Sequence, residues 1–146
     1  MGPMLVVSDI MSTDVVLAMD TATIKECAVK MNKRHVGSVV IFGKDNKPYG
    51  IITEGDISRA VSKGASPSTS VMKLKMNELI AIEPWIKVEE AARLMAERHV
   101  KKLPVINDHV LVGIITQTDI INSAYSLITT LKEMVHARYV PPDMEL

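Results

Sequence analysis

Arg34-His35-Val36 leads through Ile41 to Gly50-Ile51-Ile52-Thr53-Glu54-Gly55-Asp56-Ile57, and Arg98-His99-Val100 leads through Val105 to Gly113-Ile114-Ile115-Thr116-Gln117-Thr118-Asp119-Ile120. The chain repeats itself, at an offset of about 64 residues that narrows to about 63. A repeat of this length is a duplicated small domain. Each half is too small to enclose a large core, so the two copies are expected to pack face to face, with a ligand seated in the seam. The copies span 7–64 and 71–128, joined by a small polar linker over 65–70 and followed by a helix end and tail over 129–146.

Composition narrows the classes. With 47% apolar residues the chain is expected to fold unaided, and 17 basic against 17 acidic residues give no global field for nucleic acid or an anionic membrane. Five aromatic residues, Phe42, Tyr49, Trp85, Tyr125 and Tyr139, supply no platform for stacking single strands. The single Cys27 excludes an internal disulfide framework, and no Cys/His spacing resembles a zinc site. No apolar run is long enough to span a bilayer, and the N-terminus lacks a signal-type pattern, so a cytoplasmic address is expected.

Local patterns predict strand, helix, strand, strand, helix in each copy. Val15–Ala18 is a strand, Thr23 and Glu26 form a capping box, and Ile24, Cys27, Ala28 and Met31 line one helix face. Gly37 is expected to let the chain turn into a hairpin of 38–42 and 49–53, followed by a helix from near Asp56 to Gly64. In the second copy, 79–82 is the expected strand, Val88, Ala91, Ala92 and Met95 the helix face, and 103–106 with 110–116 the hairpin. Lys87 replaces the Thr23 cap, leaving Glu89 and Glu90 to favour that helix start. The last helix carries a stripe, Ile120, Ala124, Leu127, Leu131 and Met134, that outlasts its counterpart before Pro141-Pro142. That stripe packs back on its own module or meets a second subunit.

Thr53-x-x-Asp56 and Thr116-x-x-Asp119 stand where a strand passes to a helix, each with a glycine three residues before the threonine. Taken alone, each is a capping box. His35 and His99 occupy equal positions at helix ends and read as caps or solvent-facing groups, and Cys27 reads as a core residue. Trp85 is either a partner anchor or a lid over the first helix of its repeat.

The pattern resembles a tandem pair of cystathionine β-synthase (CBS) domains, a Bateman module. The resemblance rests on Asp9-Ile10-Met11-Ser12, on Leu103-Pro104-Val105, on the order of elements and on both Gly-hydrophobic-hydrophobic-Thr-x-x-Asp signatures in register. It implies an α+β fold of two βαββα repeats, related by a pseudo-twofold axis and packed through their sheets. It implies a regulatory, non-catalytic module that binds AMP, ADP or ATP as an effector in two clefts, without a required cofactor or metal. The alternatives are an S-adenosylmethionine-binding module and an interaction scaffold with empty clefts. It further implies a homodimer acting on a regulated protein, with no membrane or nucleic-acid partner.

By the same resemblance Asp56 and Asp119 accept hydrogen bonds from ribose hydroxyls, and Thr53 and Thr116 help hold ribose or phosphate. An ionised carboxylate is acceptor-only and suits a vicinal diol that must donate. The base would lie against the opposite repeat. For the Asp56 cleft those positions are Lys75, Leu79, Ile80, Ala81, Val100, Lys101 and Lys102; for the Asp119 cleft they are Ser12, Val16, Leu17, Ala18, Val36, Gly37 and Ser38. Lys101 and Lys102 stand where phosphate-binding members place basic residues, whereas Gly37 and Ser38 bring no charge to the matching place. The Asp56 cleft is thus expected to favour a phosphorylated nucleotide, unless the lysine pair is simply a solvated sheet edge.

Overall fold

The computed structural model describes residues 5–74, 76 and 79–138. The chain forms α1 (Val7–Ile10), β1 (Leu17–Met19), α2 (Ile24–Arg34), β2 (Ser38–Phe42), β3 (Pro48–Thr53) and α3 (Glu54–Ser62). A 3-10 turn at Val71–Lys73 precedes α4 (Val88–Arg98), β4 (Lys102–Asn107), β5 (Val110–Thr116) and α5 (Gln117–Arg138). This is the α+β duplication expected from the repeat. β1 runs parallel to β2, which pairs antiparallel with β3, and β4 pairs antiparallel with β5. Both hairpins shift register at matching places, Ile41/Phe42 and Val105/Ile106.

Helix starts follow their caps. The Thr23 hydroxyl accepts from the Glu26 N–H while the Glu26 carboxylate accepts from the Thr23 N–H. Ile24, Cys27 and Met31 are the buried face of α2. Lys87 makes no side-chain cap, and Glu89 and Glu90 occupy the first turn of α4. α3 begins at Glu54 rather than near Asp56, because Thr53 is its N-cap.

Three local expectations are revised. The residue that turns the chain after α2 is His35 rather than Gly37: His35 adopts the left-handed conformation (φ 53°), and His99 repeats it after α4 (φ 54°). Histidine tolerates this region better than β-branched residues do, and the His N–H groups return to Met31 and Met95 carbonyls as helix stops. The strand expected at 79–82 reduces to a single parallel bridge between Ile82 and Val105, held by Ile82 N–H to Pro104 and Ile106 N–H to Ile82. Pro84 follows two residues later and has no N–H to extend the ladder. The first strand is offset to Leu17–Met19, although Val16 still accepts from Val40 N–H.

The cores are completed crosswise. Val7 is wholly buried among Ile82, Ala91, Met95, Leu103, Val105 and Ile115 of the second repeat. Val71 is wholly buried among Cys27, Met31, Val39, Ile41 and Ile52 of the first. Backbone bonds reinforce the exchange: Val7 N–H to Ile86, Val88 N–H to Leu5, Val71 N–H to Ala22 and Ile24 N–H to Thr69. Burying a valine contributes about 1.5–3 kcal/mol, so each repeat holds the other's leading segment as part of its own interior. The two signature glycines leave room for that crossing: a Cβ at Gly113 would lie 2.8 Å from the Ser12 carbonyl and 2.6 Å from Met11 Sδ. At Gly50 it would lie 2.9 Å from Met76 Sδ.

α5 is 22 residues long, against 9 for α3. Ile120 packs on the second core, but Leu127, Leu131 and Met134 are about half exposed. The start of the stripe therefore packs back on its own module, while its distal part stays about half exposed. The expected stop at Pro141-Pro142 and Tyr139 lie outside the described residues.

Candidate functional site

Thr53 and Asp56 build one wall of a cleft of about 600 Å³. The capping box holds them there: Asp56 Oδ2 accepts from the Thr53 N–H at 2.9 Å and from the Thr53 hydroxyl at 3.0 Å, while the Asp56 N–H donates to Thr53 Oγ1 at 3.3 Å. The cap reading and the binding-wall reading thus describe one device. A carboxylate pinned at a helix N-terminus is a preorganised acceptor, supported by the helix dipole. The facing wall comes from the second repeat: Leu79, Ile80, Val100, Lys101, Lys102 and Pro104. Five of the residues expected opposite Asp56 are thereby placed in its cleft. Ala81 faces elsewhere, in a shallow surface depression with Glu83 and Glu90, and Lys75 lies outside the described residues.

The copy of this junction lines a smaller cleft of about 380 Å³. Asp119 Oδ2 accepts from the Thr116 N–H at 2.9 Å, and the Asp119 N–H donates to Thr116 Oγ1 at 3.0 Å. Ser12, Val16, Val36, Gly37 and Ser38 line it as expected, but Leu17 does not. Leu17 instead faces a separate depression with Phe42 and Leu111, and Ala18 is buried in the first core. Side chains alternate along β1, so Leu17 and Met19 face outward while Ala18 is buried.

Several cleft residues escaped the sequence reading. Arg59, one turn after Asp56, donates from Nη2 to Asp56 Oδ1 at 2.6 Å and lies over Gly55. The i,i+3 spacing on α3 was the available signal. Its counterpart in the second repeat is the uncharged Asn122. Glu54 also lines the larger cleft, and His99 and His35 line the larger and the smaller cleft respectively, besides ending their helices.

Lys102 corrects the expected charge asymmetry. It lines both clefts, as does Gly37, so the Asp119 cleft is not without a cation. A Cβ on Gly37 would lie 3.2 Å from Lys102 Nζ, so glycine here makes room for the ammonium. Burial pushes the Lys102 pKa below its ordinary value, against the pull of Glu54 and Asp119. The remaining asymmetry is Arg59 and Lys101, which belong to the larger cleft alone.

Comparison with known proteins gives a consistent family. The CBS domain model matches residues 7–63 and 71–126. An uncharacterised protein of Methanopyrus kandleri is 35% identical over 130 residues, which cover 87% of this chain and 66% of that protein. The CBS domain-containing protein YhcV of Bacillus subtilis is 30% identical over 115 residues, 78% of this chain and 81% of YhcV. The CBS domain pair of protein MJ0100, solved in complex with 5′-methylthioadenosine and S-adenosyl-L-methionine, superposes with a TM-score of 0.76 at 27% identity, over 85% of this chain and 98% of that one. A CBS domain protein of Pyrobaculum aerophilum complexed with AMP gives a TM-score of 0.72 at 28% identity, over 79% and 89%.

Proposed function

Because this chain belongs to the CBS-domain family, as a tandem pair, we propose that it is a regulatory module whose effector is an adenosine phosphate held in the Asp56 cleft. The observation that carries this reading is the gathering, in one 600 Å³ cleft, of a helix-pinned carboxylate, Arg59 beside it and Lys101 and Lys102 opposite. Asp56 would accept from the ribose hydroxyls, Ile80 and Val100 would flank the base, and the three cations would meet the phosphate through charge-assisted hydrogen bonds. Arg59 has two roles in this scheme: it neutralises Asp56 in the empty cleft and turns to the phosphate when ribose takes the carboxylate. The AMP complex of the Pyrobaculum relative supports the ligand class.

The module carries no catalytic role in this reading; ligand occupancy is its output. It acts as a homodimer through the exposed face of α5, on a regulated protein, in the cytoplasm, where the free Cys27 thiol is at home. A second reading, S-adenosylmethionine, is favoured for the smaller cleft by Asp119, a carboxylate that suits a cationic sulfonium; the MJ0100 complex supports the ligand class.

Calorimetric titration with AMP, ATP, adenosine and S-adenosylmethionine tests both readings. AMP or ATP should bind more tightly than adenosine, and Asp56→Ala should weaken the ligands of the larger cleft, AMP and ATP, while leaving S-adenosylmethionine in the smaller one. If no adenosine ligand binds the parent protein, the module is a scaffold with empty clefts.

A further inference from the structure

The two clefts share one cation. Lys102 begins β4, paired with Thr116 at the end of β5, and its side chain runs beneath Gly37 at the place where both clefts have their common wall. Its carboxylate neighbours come from both sides: Glu54 lines the larger cleft and Asp119 the smaller. The larger cleft has Arg59 and Lys101 besides. In the lining of the smaller cleft the other charged side chains are Asp14 and Asp119, and Asp14 is already paired with Arg34.

We infer that Lys102 couples the two clefts negatively toward phosphorylated ligands: one bound phosphate commits the ammonium, and a second must then sit beside Asp119 without it. This rests on the adenosine-ligand reading above and states how its two sites regulate each other. The larger cleft, with its two further cations, fills first. Its phosphate draws Lys102 away from Asp119, which leaves the smaller cleft more acidic and selective for an uncharged or cationic adenosine. Adenosine itself brings no phosphate, so its two binding events are independent. The coupling is thus specific to ligand charge rather than to occupancy. A charge-assisted hydrogen bond is worth about tenfold or more in affinity, which sets the expected size of the effect.

The test separates coupling from mere inequivalence of two sites. Gly55→Trp places bulk at the larger cleft, where a Cβ would meet the flexible Arg59 guanidinium at 3.2 Å. Asp56→Ala together with Arg59→Ala is the second way of disabling the same cleft, since it removes the ribose acceptor and a phosphate cation at once. AMP and adenosine are titrated calorimetrically into the parent, both disabled variants and Lys102→Met, with thermal melts to verify folding. The second AMP bound by the parent should be about tenfold or more weaker than AMP bound by the disabled variants. Lys102→Met should abolish that difference, and adenosine should show none. Equal AMP affinities in the parent's second event and the disabled variants overturn the coupling, as does a difference that persists in Lys102→Met. Failure of the disabled variants to bind AMP also overturns it. Absence of any adenosine ligand from the parent overturns the functional reading itself, whereas two independent AMP events overturn only the coupling.

Discussion

Replacing Arg59 with alanine should move two ligands in opposite directions. The guanidinium holds Asp56 Oδ1 at 2.6 Å, so an incoming ribose must displace it. The Arg59 side chain is 67% exposed and that of Asp56 19%, which places the pair among screened ion pairs worth about 0–1 kcal/mol. Removing it should therefore tighten adenosine by at most about fivefold, since 1.4 kcal/mol is about tenfold. For AMP the same change removes a phosphate contact of about 1.5–3 kcal/mol. After a gain of about 1 kcal/mol at ribose is subtracted, about 0.5–2 kcal/mol remains, and AMP should lose about twofold to thirtyfold. Isothermal titration of both ligands into the parent and Arg59→Ala, at low and high salt, reads both shifts. The AMP loss should shrink in salt because the arginine is exposed. If AMP and adenosine shift in the same direction, Arg59 shapes the cleft or the helix and does not exchange partners.

Asp56→Ala should weaken AMP more than Asp119→Ala does, because Arg59 and Lys101 serve only the larger cleft; equal losses in calorimetry would remove this residual asymmetry. Changing Lys101 and Lys102 together to alanine should cost AMP at least about tenfold and adenosine far less; equal losses would show that the lysines shape the pocket. Truncation after Ser126 removes Leu127, Leu131 and Met134, and should lower the mass seen by light scattering from dimer to monomer; a parent already monomeric at micromolar concentration would end the dimer reading. Burial raises the Cys27 pKa, so the thiol should resist alkylation in the folded protein at neutral pH and react promptly in denaturant. Lys102→Met should raise the melting temperature at neutral pH, where the parent keeps a half-buried charge in the folded state. That advantage should shrink as pH rises from the lowered folded pKa towards the ordinary 10.5, where the folded parent sheds its proton before the unfolded chain does; a constant gap across that window would contradict the burial cause.

The frame of the fold was legible because its signals are local. Thr23 with Glu26, and Thr53 with Asp56, fix helix starts within one turn, and the apolar spacing of Ile24, Cys27 and Met31 picks the buried face. What failed depends on partners distant in sequence. The 79–82 segment has strand composition, yet its pairing was decided by Val105 and curtailed by Pro84. Leu17 reads like Val16 in an apolar run, yet Val16 lines the cleft while Leu17, the first residue of β1, faces away from it. Lys102 looked like one member of a lysine pair serving one site. Its reach to Gly37 and Asp119 exists only once the two repeats are packed, and no spacing within either copy encodes it.

Duplication explains which parts of the two clefts match and which diverge. The frame demands a threonine and an aspartate to cap the helix, a histidine able to turn left-handed and a glycine where the opposite segment crosses. All four recur: Thr53 and Thr116, Asp56 and Asp119, His35 and His99, Gly50 and Gly113. Positions that the frame does not demand are free to differ, and there the charges part: Arg59 against Asn122, Lys101 against Gly37, Lys102 against Ser38. Exchanging those three residues between the repeats would leave the caps and the crossing intact. It should therefore transfer the preference for a phosphorylated ligand from the Asp56 cleft to the Asp119 cleft, because that preference resides in the cations and the fold resides in the caps.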